Sequence, residues 1–252
     1  MSKKSFGLAS FFVVVLVFSI SWSQNTKKKK KSILSKATEV VSTVTGGAVP
    51  LTESEIAEGL KEALKVGSNN ASSKLSMLDG FNKNSLIRIP FPKDAQIVAD
   101  KLRQMGFGTK VDEFETTLNR AAEQASKDAA NIFVNAITAM TITDAKNILQ
   151  GSNNAATQYL KGKTNDQLKT AFKPHIETAL NSTYATSKWK ELTTMYNKIP
   201  LVKPVNTDLV GYTNDKALTG LFTVVEQEET KIRQDPAARV NDILKKVFGN
   251  KQ

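Results

Sequence analysis

A chain of 252 residues with 40% hydrophobic and 23% charged residues is long enough to bury a core and has the balance of a folded domain rather than a disordered one. The lack of cysteine excludes disulfides, thiolate metal sites, a cysteine nucleophile and a lipid-accepting cysteine. Of the formal charge of +11, seven positive charges (Lys3, Lys4 and Lys27 to Lys31) fall in the first 31 residues, and the remaining +4 shows no basic stripe with interleaved aromatics, which argues against nucleic acid as a partner.

The N-terminus has the pattern of an export signal. Lys3 and Lys4 precede an apolar run from Phe6 to Ile20, too short to span a bilayer, and the small residues Ser19, Ser21 and Ser23 follow at signal-peptidase spacing. Residues 1–23 are therefore expected to be a signal peptide cut after Ser23, with an uncleaved membrane anchor as the lesser alternative. Residues 24–50 then form a lysine-rich linker in which Lys27, Lys28, Lys29, Lys30 and Lys31 repel one another and are available to an anionic surface.

Residues 51–252 are expected to be one all-α domain, an antiparallel multi-helix bundle with a short extended segment. Thr52 and Glu55 make a capping box, after which Ile56, Leu60, Leu64, Ala71 and Leu75 recur at helical spacing. LIRIPF (86–91) is extended, since Pro90 and Pro92 each push the preceding residue out of helical geometry, and is a candidate for a tiny strand or hairpin. Pro92 opens a helix carrying Ile97, Val98 and Leu102 that stops at Gly106-Phe107-Gly108. One long helix is expected from Lys110 to Met140, its stripe running through Val111, Phe114, Leu118, Ala122, Ala125, Ala129 and Phe133. Thr143 and Thr164 read as caps and Gly151 and Gly162 as stops, with Pro174 kinking or dividing the segment from Asn165 to Asn181. A loop over 199–206 precedes helices starting near Thr213 and at Asp235-Pro236, the last ending at Gly249.

The chemistry is sparse. No phosphate-binding loop, nucleophile elbow, zinc-protease, dinucleotide or calcium-loop spacing occurs, so no cofactor or metal is expected. The lone His175 has no ligand partner adjacent in sequence and reads as a surface or satisfied core histidine. Arg120 and Glu123 fall away from the apolar stripe on a helical wheel, so Glu123 reads as a solvated partner of Lys127 four residues on. Glu115 and Asn119 lie at the stripe's edge, where a polar group is either hydrogen-bonded or faces a pocket. Leu218, Leu221 and Val225 call for an apolar residue where Glu228 and Glu229 stand. That anomaly reads first as a structural ion pair with Arg233 or Arg239, and otherwise as a ligand-binding or acid-base cluster with Asp235 and Arg239. Tyr159 and Tyr212, with neighbouring lysines, are lesser binding candidates near helix ends.

LTESEIAEGLKEALKVG (51–67), IRIPFP (87–92), LNRAAE (118–123), DAKNILQG (144–151), ATQYLKGKT (156–164) and DPAARVNDILKKVFG (235–249), in this order, resemble the bacterial family known as DUF4197. The resemblance implies an exported helical envelope protein with no established activity. The function expected is therefore a non-enzymatic binding or scaffold protein of the periplasm or another exported location, its partner an envelope lipid, glycan or protein. The alternative is a carboxylate-dependent hydrolase or lyase using the C-terminal carboxylates with His175 or a tyrosine, which requires those groups to converge in one cleft.

Overall fold

The computed structural model describes residues 52–198, 200–201, 203–235 and 245. The expected signal peptide (1–23), the expected linker (24–50) with Lys27 to Lys31, Arg239 and nearly all of the expected final helix from Asp235-Pro236 to Gly249 lie outside the described residues. Within them the domain is all-α, with helices α1 (Glu53–Ser76), α2 (Gln96–Gln104), α3 (Gly108–Ala125), α4 (Ala129–Thr138), α5 (Ile142–Gln150), α6 (Ala155–Ser182), α7 (Ala185–Tyr196) and α8 (Leu209–Gln234). Helix α6 packs between α8 and α3, and α1 lies against α8, α4 and α5. None of these helices is long and apolar enough to cross a membrane.

The helices form where caps and apolar stripes agree. In α1 the Thr52 hydroxyl accepts from the Glu55 amide while Glu55 accepts from the Thr52 amide, satisfying two orphan donors of the first turn. Helix α2 ends as its glycine demands. Gly106 sits at φ +88°, its N–H reaching the Arg103 carbonyl and that of Phe107 the Leu102 carbonyl, a Schellman closure that only a residue comfortable at positive φ makes without strain. Along α3 the small residues Ala121, Ala122 and Ala125 are fully buried, which lets α6 approach closely.

Several boundaries differ from the sequence reading. The helix expected from Lys110 to Met140 is two helices, α3 and α4, separated by a 3-10 turn at Ser126–Asp128. There the Ser126 carbonyl accepts both the Ala129 N–H and the Ser72 hydroxyl of α1, so the third-residue bond and a tertiary bond replace the α-helical one. Helix α5 is capped by Thr141 rather than Thr143, because Asp144 stands at the right place to return the capping-box bond to Thr141. Thr164 and Gly162 are interior to α6, where the Thr164 hydroxyl donates back to the Leu160 carbonyl. Leu160, Thr164, Leu168, Phe172, Ile176 and Leu180 form an uninterrupted buried stripe, and that packing overrides the weak propensity of one glycine. The same helix passes undivided through Pro174, which lies on its exposed side, where water can take the carbonyl left without a donor. Helix α8 starts at Leu209, four residues before Thr213, because the Asp208 carboxylate caps the Gly211 amide at 2.8 Å.

No strand occurs among the described residues. The IRIPFP segment is extended, yet it pairs with the side chains of a helix.

Candidate functional site

Glu115, Asn119 and Glu123 occupy successive turns of one face of α3, all three buried, and this face runs beside the extended segment. Glu115 accepts the Phe91 N–H at 3.0 Å. Asn119 accepts the Ile89 N–H at 2.8 Å and donates to the Ile89 carbonyl at 2.9 Å. Glu123 accepts the N–H groups of Phe81 and Asn82 at 3.1 and 3.2 Å. For Glu115 and Asn119 the match is geometric: four helical residues rise about 6 Å and two extended residues about 6.6 Å, so the pair meets the alternate amides of Phe91 and Ile89, while Glu123, one turn on, holds the two adjacent amides of the turn at Phe81 and Asn82. Glu115 and Asn119 are thus hydrogen-bonded to backbone rather than lining a pocket.

Glu123 was expected in solvent paired with Lys127. It is instead 4% exposed, and its second oxygen meets Arg120 at 2.7 Å. The helical wheel misplaced it because the apolar stripe marks only one of two buried faces of α3. Arg120 extends the network to Asp79 at 2.7 Å, and Lys83 and then Arg120 hold the Asp79 carboxyl down to about 2. On the segment's other side the half-buried Tyr212 donates to the Pro90 carbonyl at 3.0 Å, while burial first and the Glu115 charge second push its phenol up to about 12. Gly220 of α8 completes the clamp, since a β-carbon there would come within 2.7 Å of the Phe81 ring.

Glu228 and Glu229 are both ion-paired, Glu229 with the expected Arg233 and Glu228 with two lysines that the sequence reading did not name. Glu229 accepts from the Ala156 and Thr157 amides and the Thr157 hydroxyl at 2.8 to 3.1 Å, capping the start of α6, and pairs with Arg233 at 2.8 Å. Arg233 also reaches the Ile148 carbonyl at 3.0 Å. Glu228 pairs with Lys74 and, at 3.1 Å, with Lys231. Burial would raise its carboxyl, but the two lysines outweigh burial and hold it below the usual range. Asp235 closes the C-terminal end of α8.

His175 is exposed, its Nε2 2.8 Å from Asp128. It stands eighteen residues beyond Thr157 on α6, about 27 Å along the helix axis from the point where Glu229 is held. Tyr159 packs on the core with Lys163 over its ring at 5.7 Å, and burial raises its phenol. His175 faces a groove with Arg120 and Thr178, whereas Glu229 lies against Leu60 and Ile232, so the two do not meet.

A roomier cavity lies elsewhere, at residues that the sequence marks at most as positions of apolar stripes or of the extended segment. A groove of about 800 Å³ opens between α2, α3 and α7. Val98 and Leu102 of α2, Val111 and Phe114 of α3, Trp189 of α7 and Phe91 of the extended segment line it. Phe91, Phe114 and Trp189 form a closed aromatic trio, with ring centres 5.0, 5.5 and 5.7 Å apart. Trp189 is fixed by donating its indole N–H to the Asn206 carbonyl at 3.0 Å. Lys110 and Lys188 stand among the lining residues, paired with Glu113 at 2.8 Å and Glu191 at 3.3 Å. The only signal in the sequence was the helical register of Val98 with Leu102 and of Val111 with Phe114, which a buried core face gives equally well. No group of three or more histidine or carboxylate side chains placed to hold a metal ion occurs among the described residues.

No curated protein and no solved structure matches the chain. The family model described as a protein of unknown function, DUF4197, matches residues 50–249, nearly the whole of the helical domain. The chain belongs to the DUF4197 family.

Proposed function

We propose that this protein is an exported envelope protein that holds an apolar chain, the acyl part of a lipid, in the groove between α2, α3 and α7, without catalysing a reaction. The observation that carries the reading is the groove itself: its volume lies in the range of small-molecule sites, about 300–1,000 Å³, and its walls are aliphatic and aromatic with a few polar groups at hand. Export is supported by the signal-like pattern of Lys3, Lys4, the Phe6 to Ile20 run and the serines after it. Of the envelope components expected from the sequence, a lipid chain suits this lining better than a glycan, whose hydroxyls would meet few partners there. The hydrolase or lyase alternative loses its support, since Glu228 and Glu229 are consumed in ion pairs and a helix cap far from His175.

The test is quenching of tryptophan fluorescence by a dibrominated stearate. Bromines entering the groove lie against Trp189, so quenching should saturate with the fatty acid and be lost in a V98F/A185L double variant whose added side chains fill the cavity. Linear, non-saturating quenching that is the same in the double variant would overturn the reading.

A further inference from the structure

The groove reading leaves its rim unexplained. Tyr184 and Leu192 line the groove and are nevertheless 73% and 48% exposed. Met105 follows the end of α2, three residues after Leu102, and Phe107 immediately precedes α3, four residues before Val111. These two are 69% and 50% exposed. Two large apolar side chains thus stand in solvent on the lining itself and two more at the junction of α2 and α3, the helices that form its wall, and exposed apolar surface marks contact with a partner or a membrane.

Tyr184 is held there against its own backbone preference. Its φ of +57° is left-handed, which a bulky residue avoids and which asparagine or glycine adopts at lower cost. The turn itself is a backbone device joining α6 to α7, the Tyr184 carbonyl accepting the Lys188 N–H at 3.1 Å, and the exposed ring takes no part in it; an aromatic ring with a polar tip suits the boundary between water and lipid.

Charge selects among the partners. From Tyr184 to Lys203, the segment that brings Lys188 to the groove, the chain carries Lys188, Lys190, Lys198 and Lys203 against Glu191 alone, a segment charge of +3. Glu191 takes Lys188 and Asp94 lies 3.9 Å from Lys203, while among the described residues no carboxylate pairs with Lys190 or Lys198. A lipid surface bearing anionic headgroups complements both features, apolar tips for its interface and lysines for its charge.

We infer that the mouth of the groove docks on an anionic lipid bilayer, with Met105, Phe107, Tyr184 and Leu192 entering the interface and Lys190 and Lys198 meeting headgroups. Resting on the proposal that the groove takes an acyl chain, this places the cavity in line with the acyl layer, so that a chain enters it without crossing water.

The experiment is co-sedimentation of the full chain with vesicles of phosphatidylcholine alone and with one-quarter phosphatidylglycerol, run beside the dibromostearate assay. Every variant keeps the Lys27 to Lys31 run, so its contribution is constant. Binding to the anionic vesicles should exceed that to neutral ones, fall at least tenfold in F107S/Y184N/L192S, and fall about fivefold for each of K190Q and K198Q. Y184N also relieves the left-handed strain, so a melting temperature no lower than that of the parent separates lost docking from lost folding. Unchanged vesicle binding in the rim variants, with saturable quenching retained, would overturn the docking surface alone. Vesicle binding that depends on the rim but without saturable quenching would overturn the groove reading alone. Concentration-dependent dimerisation lost in the same variants would assign the rim to a second copy of the chain and overturn the lipid surface.

Discussion

Replacing Asn119 by leucine tests the clamp on the extended segment directly. The side chain is fully buried, and its amide makes three bonds: from the Ile89 N–H at 2.8 Å, to the Ile89 carbonyl at 2.9 Å and to the Glu115 carbonyl at 2.7 Å. Leucine is close in volume and a better helix former, so neither a cavity nor propensity contributes to the loss. What remains is the stranding of the N–H and C=O of Ile89, itself fully buried and out of reach of water. Each stranded group costs about 1–3 kcal/mol, so Asn119→Leu should destabilise by about 2–6 kcal/mol and lower the melting temperature by roughly 10 °C. Asn119→Asp, which keeps the acceptor for the Ile89 N–H and loses the donor to its carbonyl, should retain that amide's protection from exchange while still destabilising. The assays are urea unfolding and hydrogen exchange at the Ile89 and Phe91 amides. A loss below about 1 kcal/mol for Asn119→Leu, or unchanged exchange at Ile89, would refute the claim that helix side chains take the place of a neighbouring strand.

Two further perturbations probe the other polar groups. The Asp79 carboxyl is held at about 2 in the folded chain against 3.8 when free, so its contribution to stability is present above about pH 4 and is lost as pH falls toward 2. Asp79→Asn, which tolerates the left-handed φ of +69°, should therefore flatten the dependence of the urea midpoint on pH between 4 and 2, and an unchanged slope would show that Lys83 and Arg120 do not act on that carboxylate. Glu229→Gln removes the charge opposite Arg233, whose side chain is only 7% exposed, and should cost about 3–5 kcal/mol in urea unfolding. A cost below about 1 kcal/mol would mean that the amides at the start of α6 and the Ile148 carbonyl suffice without the charge.

What the sequence made legible was local. The Thr52–Glu55 box, the Gly106 stop and the stripe of α1 each need only a few neighbouring residues, and the structure has them all. The Glu229–Arg233 ion pair is legible for the same reason, as the two are four residues apart on one helix. Glu115 and Asn119 were recognised as needing partners, but their partners lie 24 and 30 residues away, and nothing local distinguished a backbone clamp from a pocket. Glu123 carried the same signal, since it continues the 115–119–123 spacing, and was lost because a charged residue beside an alanine stripe was assigned to water. The groove was illegible in principle. Its aromatic trio comes from residues 91, 114 and 189, and only the folding of α7 onto the α2–α3 pair makes one surface of them.

The clamp and the groove meet at one residue, and this decides how rigid the groove is. Phe91 gives its backbone N–H to Glu115 and its ring to Phe114 and Trp189, so the wall of the cavity is the end of the ladder that α3 builds. A second strand would hold the same backbone, but strand and helix would then compete for the space that α3 and α8 fill from either side of the segment, with Tyr212 on Pro90 and Gly220 over Phe81. Side chains spaced by one helical turn supply the hydrogen bonds within a single layer, leaving Phe91 fixed before any ligand arrives. Rigidity at the groove should accordingly depend on the ladder and not on stability in general. Under conditions where both variants remain folded, Asn119→Leu should weaken the saturable dibromostearate quenching, whereas Glu229→Gln, acting at the start of α6, should leave it unchanged; equal weakening in both would mean that the groove softens with the whole bundle and that the clamp has no special hold on it.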